Sequence, residues 1–290
     1  VSVWGGEDGS YDTSTGVSSN PEYGKVFISI KSTTGQNLTT VQKSNLVTAF
    51  APFKVASITP VVVDPSITYL ILNVSFSYDS TATTSTKDEL ASLISTTISN
   101  YNSTDLQEFN SSFRHSKLLG LIDNTDTAIL NNTTTVTMSK FFTPVSETSS
   151  YNINFNNAFF NPHSGHNAAA GGVVASTGFY LDNSTETEYF FDDDGSGNLR
   201  IYSLSTGQVR TYLNSSAGTV DYVDGTISTT SLLISAVSNV DGASSTQIRI
   251  TVIPKSNDVI PVRNQILEID LVNTTTGGNV DAQATTGLGY

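Results

Sequence analysis

TYLILNVSFSY at residues 68–78, followed shortly by TKDELASLISTTISNY at residues 86–101, decides the class of fold. In the first stretch Leu70, Leu72, Val74, Phe76 and Tyr78 alternate with other residues. That period of two marks a strand with one buried face. In the second, Thr86 and Glu89 have capping-box spacing, and Asp88 and Glu89 put negative charge where the helix dipole favours it. Leu90, Leu93, Ile94, Ile98 and Tyr101 then recur at helical spacing.

Working outward, KVFISIK at residues 25–31 alternates as a strand. Thr39 and Gln42 form a second capping box, opening a helix with Leu46, Val47 and Phe50 on one face and Ala51-Pro52 at its end. Residues 57–63 are a β-branched run, and Asp64-Pro65-Ser66 is turn chemistry. Downstream, Thr104 and Gln107 repeat the capping-box spacing. They predict a second, shorter helix carrying Leu106, Phe109 and Phe113. Residues 133–142 return to a strand pattern. Residues 25–142 therefore read β-α-β-β-α-β with one short extra helix. This is an α+β fold with the split β-α-β, ferredoxin-like order.

Beyond Val145 helical periodicity stops. Short alternating runs at 177–182, 199–205, 208–213, 248–253 and 266–272 lie between Gly, Asn and Asp turns. Ser205-Thr206-Gly207 and Val223-Asp224-Gly225 are hairpin signals. The organisation expected is an extended lead-in at 1–24, the α+β domain at 25–145, a mostly antiparallel β domain at 146–276 and a polar tail at 277–290. Starting at Val1, with neither Met nor leader, the chain reads as a piece of a longer protein.

Of 290 residues, 40 are Ser, 40 Thr and 24 Asn, a composition that favours strands and turns. Net charge is −13 with only 13 Lys plus Arg, which leaves little to neutralise nucleic-acid phosphates. No apolar run approaches the ~18 residues of a membrane span. The absence of Cys excludes disulfides, thiolate metal sites and Cys catalysis.

Asp192-Asp193-Asp194-Gly195-Ser196-Gly197-Asn198 places Asp192, Asp194, Ser196 and Gly197 at positions 1, 3, 5 and 6 of a calcium loop. Position 12 is Ser203 instead of Glu, so an acidic β-turn is the plainer reading. His163 and His166 lack a third ligand nearby and read as loop histidines. His115, beside Arg114, reads as a cation just after a helix, facing the C-terminal end of its dipole. No nucleophile elbow, phosphate loop, dinucleotide fingerprint or zinc-protease motif is present. No catalytic residue, metal site or cofactor is expected.

Three segments carry a resemblance. Val3-Trp4-Gly5-Gly6-Glu7-Asp8 precedes Tyr23-Gly24-Lys25-Val26-Phe27-Ile28-Ser29-Ile30-Lys31. Then come residues 60–65, PVVVDP, and Phe113-Arg114-His115-Ser116-Lys117-Leu118. Together they resemble the C-terminal portion of the baseplate wedge subunit of T-even-type contractile-tail bacteriophages, itself similar to J-type baseplate proteins. Residues 217–222 with 225–227 resemble a tail-protein β-hairpin. The resemblance covers residues 1 to about 123 and implies a virion structural protein without catalytic residues. It implies a homodimer that meets other wedge proteins and links the wedges into a ring around the hub. It also implies rearrangement on sheath contraction, and a place in the tail baseplate after synthesis in the host cytoplasm. Neither nucleic acid nor membrane is an expected partner.

Two rivals stay open. A β-rich adhesin or receptor-binding domain fits the Ser/Thr/Asn-rich second half. A polysaccharide-degrading enzyme needs two convergent carboxylates that sequence alone does not single out. The residues singled out are candidate interface anchors, each weighed against packing inside the chain's own core: Trp4, the lone Trp in a Gly-rich stretch, and Phe159 and Phe160 before Asn161-Pro162.

Overall fold

The structure, a computed structural model, describes residues 1–9, 20–32, 37–53, 57–161, 172–262 and 264–281. The chain opens with a small layer. Strands β1 (Ser2–Gly5), β2 (Lys25–Ser29) and β3 (Thr59–Val63) form a three-stranded sheet, and helix α1 (Thr40–Phe50) links β2 to β3. β1 is antiparallel to β2, so residues 2–5 of the expected lead-in are an edge strand. β2 and β3 are parallel, as a helical crossover requires. The Thr39–Gln42 capping box forms in both directions, with Gln42 N–H donating to Thr39 Oγ1 at 3.3 Å and Thr39 N–H to Gln42 Oε1 at 2.9 Å. Leu46, Val47 and Phe50 are only half-buried, and no residue of α1 is fully buried. Trp4, Phe27 and Val62 are the buried apolar side chains of this layer.

After Asp64-Pro65 the chain enters a second, much larger sheet. Strand β4 (Ser66–Tyr78) leads to α2 (Lys87–Asp105), α3 (His115–Asp123) and β5 (Ile129–Phe142). β4 and β5 are antiparallel, in register from Tyr69↔Ser139 to Ser77↔Asn131, with a register shift before Tyr78↔Ile129. The alternation read at 68–78 is the observed burial: Leu70, Leu72, Val74, Phe76 and Tyr78 are all buried. They belong to one core with Leu90, Ile94 and Ile98 of α2 and Leu118 and Ile122 of α3. Each such side chain contributes about 1.5–3 kcal/mol when removed from water.

The short helix expected after Thr104 does not form there. The hydroxyl of Thr104 donates back to Asn100 O at 2.8 Å inside α2, which runs to Asp105. Gln107 and Asn110 then adopt positive φ, 63° and 68°, which no helix tolerates. Phe113 bridges to Val259, and the next helix starts at His115.

The remaining strands are β6 (Asn152–Asn154), β7 (Val174–Ser176), β8 (Phe179–Leu181), β9 (Tyr189–Asp193), β10 (Asn198–Leu204), β11 (Arg210–Asp221), β12 (Thr226–Thr229), β13 (Ile234–Val237), β14 (Ile248–Val252), β15 (Gln265–Ile269) and β16 (Thr275–Val280). The sheet runs β15-β4-β5-β14-β7-β9-β10-β11-β12-β6, with β16 also on β4 and with β8 joining β9 to β13. Both hairpins read from turn chemistry form, β10–β11 and β11–β12. The second needs its glycine: Gly225 has φ 68°, and a Cβ there would lie 2.0 Å from Asn157 O.

This topology corrects three expectations. The ferredoxin-like order of elements is present, but not as one sheet: β2 and β3 lie in the small layer, β4 and β5 in the large one. The free edge of β4 is filled by parallel β15 along Ser66–Leu70 and parallel β16 along Asn73–Tyr78, which leaves β2 and β3 no place beside it. The expected boundary after residue 145 does not divide the sheet, because β14 pairs with β5. Residues 277–280 of the expected tail are strand β16. The second half is antiparallel apart from β15 and β16. One apolar cluster extends from Leu70 to Ile269. Among the described residues no helix is long and apolar enough to cross a membrane.

Candidate interface and the acidic turn

The three anchor residues fare differently. Trp4 is buried: its ring stacks on Phe27 at a centroid distance of 5.7 Å, and its Nε1–H donates to Gly9 O at 2.8 Å. Phe159 is fully buried, edge-on to Phe155 at 5.4 Å. Both therefore serve the chain's own packing, the alternative weighed for them from the sequence. Phe160 is 46% exposed, with its N–H on Ile253 O at 2.9 Å. The alternation of β-structure turns adjacent residues to opposite sides, so one of Phe159 and Phe160 faces the core and the other water. Ile253 and Ile260 are also exposed, and Asn157 ties Ile260 to the same region through both of its side-chain atoms.

The acidic run ends β9 with Asp192 and Asp193 and turns through residues 194–197 into β10, and its carboxylates are occupied. Asp192 is 1% exposed. It accepts from Arg200 Nε at 2.8 Å, Arg210 at 2.6 Å and the Tyr212 hydroxyl at 3.1 Å. The two guanidinium groups lie over the Tyr212 and Tyr202 rings at 4.3 and 4.5 Å. Asp193 accepts from Val174 N–H at 2.8 Å and from the Tyr222 hydroxyl at 2.5 Å. Burial, and then that carboxylate, push the Tyr222 hydroxyl far above its usual range. Burial opposes ionisation of Asp194, but hydrogen bonds from Asn198 and Ser196 outweigh it and hold this carboxyl below its ordinary range. With Asp192 held by two arginines, the first calcium-loop position is unavailable to a cation.

Sequence spacing alone does not show this network, since the partners lie 8 and 18 residues from Asp192. The detectable signal is hairpin register, which sets Arg200 directly opposite Asp192.

His115 opens α3 instead of following a helix, which corrects its expected place. Its N–H donates to Asp258 Oδ1 at 2.8 Å, and its Nε2 lies 2.8 Å from Thr134 O. That backbone bond, aided by Arg114, draws the Asp258 carboxyl below its usual range. His163 and His166 lie outside the described residues. Lys140 is a buried cation that forms no ion pair among the described residues. It donates to Ser66 Oγ at 3.0 Å and Asn154 O at 2.8 Å, and burial lowers it to about 8. These hydrogen bonds tie β5 to the start of β4 and to β6.

The matches to known proteins follow the division between the two sheets. The profile of baseplate structural protein gp6, C-terminal domain I, matches residues 1–63, the small layer as far as the last residue of β3. That of C-terminal domain III matches residues 66–141, from the first residue of β4 into β5. The baseplate wedge protein gp6 of Enterobacteria phage T4 is 29% identical over 134 residues, 46% of this chain and 20% of that protein. The chain thus spans about a fifth of the length of the relative it matches. The first 141 residues of the chain are thus similar to the C-terminal portion of the baseplate wedge subunit of T-even-type phages.

Proposed function

We propose that the chain is a structural part of a contractile phage tail, within a baseplate wedge. In this reading it dimerises, meets other wedge proteins, links wedges into a ring around the hub and shifts when the sheath contracts. Its place is the virion tail baseplate, after synthesis in the host cytoplasm, and its role is mechanical instead of catalytic. The observation that carries the reading is the paired family match, whose first part ends with β3 of the small sheet and whose second begins with β4 of the large one.

The chemistry of the chain is compatible with this role. Asp192, Tyr222 and Lys140 are engaged in hydrogen bonds between strands. Exposed Phe160, hydrogen-bonded through its backbone to exposed Ile253, is the contact surface we assign to a neighbouring subunit.

Light scattering after size exclusion, across a wide concentration range, tests the self-association. A mass near twice 30.8 kDa supports it, and a strict monomer at every concentration contradicts it for this part of the protein. Phe160→Ser is expected to weaken the dimer about tenfold without unfolding the chain.

A further inference from the structure

Where β15, β4 and β5 adjoin, the outward face of the large sheet is hollowed into a groove of about 500 Å³. Glu268 stands opposite Tyr69 in the parallel pairing of β15 with β4. On the other side Phe141 meets the Tyr69 ring edge-on, centroids 5.6 Å apart. Exposed Leu271 and Val272 extend the apolar wall. The groove continues past Ser103 and Gln107 into a second hollow of about 440 Å³ beside Lys31 and Glu108.

Four carboxylates line these two hollows, Glu108, Asp241, Glu268 and Asp270, against one basic side chain among the described residues, Lys31. Lys31 already donates to Gln107 O at 2.5 Å. Asp241 is held by Arg249 at 2.7 Å and Asp270 by Asn273 at 2.8 Å. Glu268 is half-buried and receives no hydrogen bond or ion pair among the described residues. Burial pushes its carboxyl up, Lys31 draws it down, and Asp270 pushes it up again. The chain elsewhere shows how it satisfies such a combination. Around Asp192, a carboxylate beside tyrosine rings is completed by guanidinium groups stacked on those rings. At Glu268 the groove has the carboxylate and the rings, and among the described residues no guanidinium completes them.

We infer that this groove receives an arginine-bearing segment of another protein, with the guanidinium paired to Glu268 and laid against Tyr69 and Phe141. The charge balance selects a basic occupant, and the aromatic wall selects arginine over lysine, whose compact ammonium does not stack. The inference goes beyond the baseplate reading, and its failure leaves that reading, tested by solution mass, untouched.

The test is a titration of the intact chain with capped tri-arginine and capped tri-lysine peptides, followed by calorimetry and by the ring resonances of Tyr69 and Phe141. Tri-arginine is expected to saturate, to move both rings, and to bind about fivefold more tightly than tri-lysine. Glu268→Gln, which keeps the shape of the side chain, is expected to weaken binding about fivefold, while Glu186→Gln on an exposed loop leaves it unchanged. Equal binding of the two peptides, equal loss in the two variants, or still rings at Tyr69 and Phe141 would each overturn the assignment. Any of these would mean that the general negative charge of the chain attracts the peptides.

Discussion

The layer of residues 1–63 closes over Trp4, Phe27 and Val62, whereas the sheet from Ser66 onward closes over a cluster reaching from Leu70 to Ile269. The helix of the first is capped as well as any in the chain, yet fully buries nothing, and Phe53 beyond it is 85% exposed. The main helix of the second has the same kind of cap and buries Leu90, Ile94, Ile98 and Tyr101. A capping box is worth about 1 kcal/mol, while a single core side chain is worth 1.5–3 kcal/mol, so burial decides which region holds the other. The small layer is locally well specified and globally weak. The large sheet is held by strands far apart in sequence, and β15 and β16 complete an edge that β4 leaves open about 200 residues earlier.

The largest effect belongs to the buried network of the large sheet. Asp192→Ala removes the carboxylate shared by Arg200 and Arg210 and is expected to lower stability by about 3–5 kcal/mol in urea unfolding. A loss below 1 kcal/mol would mean that the network does not hold the β9–β11 region. Next comes a matched pair of truncations. Leu72→Ala is expected to lower global stability by about 3 kcal/mol. Phe27→Ala is expected to leave the global transition nearly in place and to speed hydrogen exchange within β2 and β3. Equal global losses would erase the distinction between the layers.

Lys140 gives the comparison a pH dependence. Its folded value of about 8 lies below the ordinary 10.5, so between these the unfolded chain holds more protons and stability rises with pH. Below pH 8 the burial penalty is fully present. Relative to the parent, Lys140→Met is expected to remove the rise between pH 8 and 10.5, read from urea midpoints at each pH. An unchanged slope would exclude Lys140 as its source. The smallest effects are the caps: Thr86→Ala is expected to lower global stability by about 1 kcal/mol, and Thr39→Ala only to fray α1.

Local chemistry made much of this legible beforehand. The strand at 68–78, both true capping boxes and both hairpin turns depend on neighbours within a few residues, so the sequence displays them. Thr104 misled because a Thr three residues before Gln has the same spacing inside a helix as at its start. The helix begun at Thr86 was still running, and the hydroxyl found Asn100 instead. Strand partnership was not legible. The pairing of β14 with β5 and of β15 with β4 depends on edges created by folding, so a change of pattern at residue 145 looked like a boundary that the sheet crosses. The anchors followed the same rule. Aromatic identity pointed to Trp4, Phe159 and Phe160, but strand phase, invisible in so irregular a stretch, turned only Phe160 outward.

The most direct test of the central claim is native-state hydrogen exchange of the whole chain in low urea. Amides of β2 and β3 are expected to open together at lower free energy, while those of β4, β5, β14 and β15 open later in one step. Opening of β14 and β15 apart from β4 and β5 would restore a boundary near residue 145. Opening of β2 and β3 together with the large sheet would show that the two layers are one cooperative body. Either result would contradict the account.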